Sequence, residues 1–311
     1  MKFKLDSPPF ETEAKISYKK PLVLLGSCFS DELGNELQNA GFDCLSNPFG
    51  TIYHPNALCQ LLMSCLGNET DWMIFEHEKR FYSWSCAHEL NAISSEILHQ
   101  KLTEQAAILK KYLQGASHLF ITPGTAWGYL LEEKKLVANC HKVPPSKFSK
   151  ELSKIDKLVQ PWTHVIQLLK QMNPGLEIVF TISPVRHIRD GIIENNRSKG
   201  RLFELVGTLE KECQITYYPS YEILIDELRD YRFYTEDLVH PSKLAVSYIW
   251  QHWSEAFLDE SSQSIAKEVG KLRKLDGHRI QSNDPEQIRS FELEKQEKID
   301  AFLKIHPQVK W

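Results

Sequence analysis

No stretch of this 311-residue chain approaches the roughly 20 consecutive apolar residues that a membrane-spanning helix needs. The opening residues, MKFKLDSPPFETEAKISYKK, hold no apolar core segment and no small-residue cleavage site, so they do not read as a secretory leader. Cysteine occurs an odd number of times, seven, and never as a Cys-x-x-Cys pair. That excludes a stapled disulfide framework and the common zinc patterns. An excess of one charge is missing as well: 37 Lys and Arg face 41 Asp and Glu, a net charge of −4. A broad nucleic-acid or membrane-surface footprint is thereby excluded. Internal repeats and low-complexity tracts are absent. These absences predict a cytoplasmic protein with free thiols, no metal, and neither nucleic acid nor membrane as partner.

What is present is an ordinary globular composition, 42% hydrophobic and 25% charged. The length suffices for one large α/β domain with an appendage. Continuous apolar runs at 21–26, 118–125, 176–184 and 213–220 read as buried parallel strands. Residues 42–50 read as a short strand and turn. Helical patterns lie at 31–40, 55–66, 93–114 and 243–257, with Pro55 suited to a first helical turn. An aromatic stretch at 73–92 reads as a hairpin inserted into the sheet, and 126–139 as another hairpin with its turn near Glu133. A charged, partly helical stretch follows to Met172. Strands alternating with helices define an α/β sandwich. Residues 1–258 form that domain. Residues 259–311 are charged, with sparse apolar positions (Ile280, Ile288, Phe291, Ile299, Phe302, Leu303), and read as a helical C-terminal extension, packed outside or serving as a homo-oligomerisation arm.

In open α/β sheets, sites form beyond the carboxyl ends of the strands. Two potential nucleophiles, Ser27 and Cys28, stand side by side after the first strand. Near the other end of the domain, Asp237 and His240 stand three apart in YTEDLVHPS. That spacing lets the carboxylate take the imidazole Nδ1–H and leaves Nε2 as a base. A thiol at a helix N-terminus feels the positive end of the macrodipole, which favours thiolate, while Asp31 and Glu32 oppose it. If neither nucleophile acts, Ser27 caps the helix and Cys28 packs. Arg186 and His187 in SPVRHIRDG are candidates to bind an anionic group of a substrate, whereas Arg189 and Asp190 read as a surface ion pair. His141 in ANCHKVP is a candidate substrate contact.

Six segments in order carry a resemblance: LLGSCFS, NPFGTIYHP, TPGTAWGY, VANCHKVP, FTISPVRHIRDG and the long run from Tyr217 to Ser242. The chain resembles the GSCFA-domain family over residues 20 to 258, with Ser30 where that family usually has Ala. This family is grouped by resemblance with the SGNH (GDSL) hydrolases. The resemblance implies a three-layer α/β/α sandwich with a mainly parallel central sheet. It also implies a hydrolase or acyltransferase acting on the ester or acyl bond of a small molecule, with no cofactor. Carried over by position, Gly26 matches the first-block glycine, Ser27 stands at the acid position and Cys28 at the nucleophile position. Gly50 would be the oxyanion-hole glycine. Ala126 stands where the third-block Asn belongs, so Asn47, Thr125 or backbone N–H groups would have to substitute. Asp237 and His240 complete the last block. The alternatives are a non-catalytic module binding a small molecule or glycan on the same fold, favoured by the absent Asn, and a redox-sensing thiol at Cys28.

Overall fold

The computed structural model describes residues 5–6, 10–67, 71–278, 281 and 284–311. Ile280 lies outside the described residues. Among the described residues there are ten strands: β1 (Leu22–Gly26), β2 (Cys44–Ser46), β3 (Ile74–His77), β4 (Arg80–Ser83), β5 (His118–Thr122), β6 (Trp127–Leu130), β7 (Leu136–Val137), β8 (Ser149–Leu152), β9 (Glu177–Phe180) and β10 (Thr216–Tyr217). The main helices are α1 (Cys28–Asn39), α2 (Pro55–Leu66), α3 (Ser95–Gly115), α4 (Ile155–Met172), α5 (Ile192–Cys213), α6 (Lys243–Phe257), α7 (Glu260–Asp276) and α8 (Pro285–Ile305).

Five strands pair in parallel in the order β10-β9-β5-β1-β2. Alternation along each strand splits the apolar side chains between the two faces of the sheet. Val23, Leu25, Leu119, Ile121, Ile178 and Phe180 join the core under α2 to α5. Leu22, Leu24, Phe120 and Val179 join the opposite core, with α1 and α6. The result is a three-layer α/β/α sandwich, as expected. The second core also takes Val269, Phe302 and Val309 from the last 53 residues, so the C-terminal helices are docked on their own chain beside α1.

The aromatic stretch departs from its expected place. Strands β3 and β4 form a two-stranded sheet of their own and are not inserted into the central one. Phe75 stacks on Trp84 at 3.7 Å between centroids, the neighbouring Trp72 stacks on Phe49, and the hairpin packs against α3. The expected 126–139 hairpin exists as β6 and β7, with a 3-10 turn at Glu132–Lys134, and β8 pairs on its other side. Helix α5 had no counterpart among the expected elements.

Three imidazoles are enclosed. His54 caps α2, its Nδ1 accepting from Asn56 N–H and its Nε2 lying 3.0 Å from Ser153 Oγ. His118 lies in β5, and His141 sits among the aromatic rings. Burial pushes each of them down to about 4. Unfolded histidine binds its proton near ~6.5. The unfolded chain therefore takes up protons below that value which the folded chain refuses until about 4. The contribution to stability is complete above the unfolded value and is lost as the pH falls through this window. The urea midpoint is expected to drop between about pH 6.5 and pH 4.5. A flat midpoint across that range would contradict the burial of neutral imidazoles.

Candidate active site

Strand β1 ends at Gly26, and the chain turns at once into α1. Ser27 is the N-cap: its backbone is extended, its Oγ accepts from Phe29 N–H at 3.3 Å, and its carbonyl accepts from Ser30 N–H. Its side chain is 1% exposed. Cys28, the first helical residue, is half-buried and free. The first amide of a helix has no intrahelical acceptor, and the Cys28 N–H acts on its own sulfur. The thiol is raised above its ordinary value, chiefly by burial and next by Asp31, against the lowering effect of nearby backbone N–H groups. The expected balance is thus reversed: burial and the acid outweigh the helix terminus, and the resting sulfur is a thiol.

Asn47 fastens this turn. Its backbone is left-handed (φ 40°), a conformation that Asn tolerates better than most residues. Its Oδ1 accepts from Gly26 N–H at 2.8 Å, and its Nδ2 donates to Asp31 Oδ1 at 2.8 Å and to the Ser27 carbonyl at 3.4 Å. Both amide hydrogens are committed to holding the strand–helix corner. Gly50 N–H likewise donates to the Asn47 carbonyl at 2.8 Å, inside a turn where a Cβ would lie 2.4 Å from Ala87 Cβ. Thr125 Oγ1 shares a hydrogen with Ser198 Oγ (2.9 Å) and accepts from Trp127 N–H, while Ser198 Oγ accepts from Ala126 N–H. These expected oxyanion donors are therefore engaged with the protein itself.

Asp237 and His240 meet as the spacing predicts. Imidazole Nδ1 lies 2.6 Å from Asp237 Oδ2, and Asp237 Oδ1 accepts from Thr235 Oγ1 and from the N–H groups of Val239 and His240. These bonds hold the carboxyl well below its usual range. Both side chains are about half exposed. Among the described residues no hydrogen bond engages His240 Nε2 or joins it to Ser27 or Cys28. The loop is tied to the end of β9 through Tyr234, whose hydroxyl accepts from Arg186 at 3.0 Å and whose ring lies under the guanidinium. Arg186 is thus already held. His187 lies near Tyr53, its ring pushed down by burial. His141 is wholly enclosed and its Nε2 donates to the Ser83 carbonyl at 2.8 Å, so it walls a cleft without offering exposed surface. Arg189 and Asp190 do not pair: Asp190 bonds Lys150 instead. Among the described residues no cluster of three or more His, Cys, Asp or Glu is placed to hold a metal.

Lys199, on α5, was missed. It is 2% exposed, and its Nζ donates to the carbonyls of Gly124 (2.9 Å), Ser183 (2.7 Å) and Val185 (3.1 Å). All three hydrogens are used at the carboxyl ends of β5 and β9. Burial lowers it to about 7, opposed by the Cys28 sulfur and assisted by Arg186. The available signal was the stripe Asn195, Ser198, Lys199, Leu202, Leu205, Val206, Leu209, which follows helical spacing and is buried throughout.

A parallel α/β/α sandwich with a thiol at the corner after its first strand, and an Asp-x-x-His pair before its last domain helix, resembles the SGNH hydrolases. The chain belongs to the GSCFA family, whose sequence profile matches residues 21–253. Solved structures similar to it include a candidate GDSL-like lipase from Parabacteroides merdae, at 12% identity and a TM-score of 0.40 over 78% of this chain and 98% of that one. A family two carbohydrate esterase from Clostridium thermocellum, solved with cellohexaose, is similar at 11% identity and a TM-score of 0.36, covering 86% of this chain and 67% of that one. An acetyl xylan esterase from Butyrivibrio proteoclasticus is similar at 10% identity and a TM-score of 0.36, covering 84% and 66%. No curated protein matches the chain. No helix among the described residues is long and apolar enough to cross a membrane.

Proposed function

We propose that the chain is a cytoplasmic acyl hydrolase or acyltransferase acting on an ester of a small molecule, with Cys28 as nucleophile, His240 as general base and Asp237 as its orienter. The observation that carries this reading is the Asp237–His240 pair, whose geometry directs a free Nε2 away from the carboxylate. His240 Nε2 takes the thiol proton as sulfur attacks the acyl carbon. The tetrahedral oxyanion is met by Cys28 N–H, its collapse expels the alcohol, and His240 returns the proton to that alcohol. Water or a second alcohol then releases the acyl group from the thioester. Bringing Nε2 to the sulfur is the requirement of this scheme. The Lys199 ammonium, which the Cys28 sulfur helps to keep charged, would favour the thiolate as it forms.

Ser27 is the weaker candidate because its residue is 1% exposed and its oxygen is held by the cap bond from Phe29 N–H. Ser27→Ala is expected to cost about 1 kcal/mol of stability while retaining ester turnover. His240→Ala is expected to abolish turnover of short-chain nitrophenyl esters. Turnover that survives His240→Ala would overturn the scheme. The second reading, a non-catalytic module binding a small molecule or glycan, is favoured by the commitment of the Gly50 and Asn47 donors. Wild-type protein that turns over no ester would support it.

A further inference from the structure

A cleft of about 430 Å³ is lined by Tyr53, Thr125, Lys142 and Arg189, with Tyr53 meeting Gly124 next to the Ser27 turn. Its walls include the rings of Trp127, Tyr129 and Phe148. Tyr53 feels Cys28, Asp31 and Glu89, while the charged residues that line the cleft itself, Lys142 and Arg189, are both cations. Lys150 takes the Asp190 carboxylate and lies over Trp127 and Tyr129. Arg189 is thereby left without a carboxylate partner among the described residues, its guanidinium 5.8 Å from the Tyr129 centroid. Lys142 also has no carboxylate partner among the described residues. It sits at the tip of a tight turn closed by Val143 N–H on the Cys140 carbonyl, in which His141 and Lys142 are both left-handed (φ 50° and 62°). Non-glycine residues held in that region are costly, and such turns tend to persist where position matters. Two unpaired cations with aromatic walls make a receptor for an anion carried on an otherwise apolar body.

We propose that this cleft binds an acyl substrate whose far end carries an oxyanion, with Arg189 and Lys142 as the residues that select it. The inference rests on the acyl-transfer reading for its substrate, but not for its binding site. The acyl carbonyl would lie at Cys28, its chain along the Tyr53–Trp127 wall, and its charge at Arg189. The anion-binding role expected for Arg186 passes to Arg189, because Arg186 is held by Tyr234.

The test has two arms. In the first, kcat/KM is measured for nitrophenyl acetate and for the nitrophenyl monoester of glutaric acid. The wild type is expected to prefer the anionic ester by about tenfold or more at low salt, and Arg189→Glu to erase that preference through KM. Arg201→Glu, at an ion pair on the outer face of α5, should leave the ratio unchanged. A ratio near one in the wild type, or a ratio unaffected by Arg189→Glu, overturns the proposal. In the second arm, glutarate and inorganic phosphate are titrated calorimetrically into the Cys28→Ala protein, so that no turnover is needed. Binding of either, lost in Arg189→Glu, supports the site and tells carboxylate from phosphate. Binding of neither overturns it. Anion binding without ester turnover would sink the hydrolase reading and leave this one standing.

Discussion

Cys28→Ala should abolish ester turnover, lowering kcat/KM by about 10³-fold or more, because the acyl group then has no sulfur to occupy. The fold should tolerate the change. Cys28 is half-buried at the first position of α1, where alanine is an acceptable helix former. Urea unfolding of the variant is expected within about 1 kcal/mol of wild type, which separates lost chemistry from lost structure. The neighbour makes the comparison sharp. Ser27→Ala removes a cap and should do the reverse, lowering stability and sparing turnover. Activity that survives Cys28→Ala but disappears in Ser27→Ala would transfer the role to the hydroxyl. The raised thiol adds a condition. With burial and Asp31 holding the proton on sulfur, attack requires a base, so the effects of Cys28→Ala and His240→Ala should not add.

The sheet and its helices were legible because their apolar residues repeat at the spacing their burial demands. Helix 55–66 and helix 243–257 stand at the expected bounds, the first marked by Pro55 and the second found in the structure to be capped by Ser242. Helix α5 was hidden for a physical reason. The buried stripe of its first two turns is Asn195, Ser198 and Lys199, polar because it faces the site and not the core. Hydrophobic periodicity cannot register a face that is buried against carbonyls and hydroxyls. Ile192 and Ile193, conversely, are exposed. The candidate site was legible in its residue types and less so in their jobs. Ser27, Cys28, Asn47, Asp237 and His240 all proved to hold defined places, but Asn47 and Gly50 spend their donors on the turn. Which of two acids or two cations pairs with which is set by tertiary contact. Lys150 arrives from a strand 40 residues before Asp190, and no local pattern foretells that it displaces Arg189.

Gly26→Ala should be the most damaging single substitution at this corner. The residue closes β1 with φ at +140°, a region that side chains other than glycine's hardly enter. A Cβ built there would lie 2.3 Å from the Thr122 carbonyl oxygen, 2.7 Å from its carbon and 2.9 Å from its nitrogen. Those atoms are backbone of the neighbouring strand and cannot swing aside as a side-chain tip would. Relief requires β1 and β5 to separate where Ser27 N–H donates to the same Thr122 carbonyl at 2.9 Å. The dihedral penalty and the overpacking together should cost about 4 kcal/mol or more, a large fraction of a typical domain's stability. The same movement would shift the Asn47 clamp and the sulfur with it. A urea midpoint within experimental error of wild type would contradict this account. If folding survives under stabilising conditions, slowed alkylation of Cys28 together with lost turnover would show that the glycine positions the nucleophile as well as closing the strand.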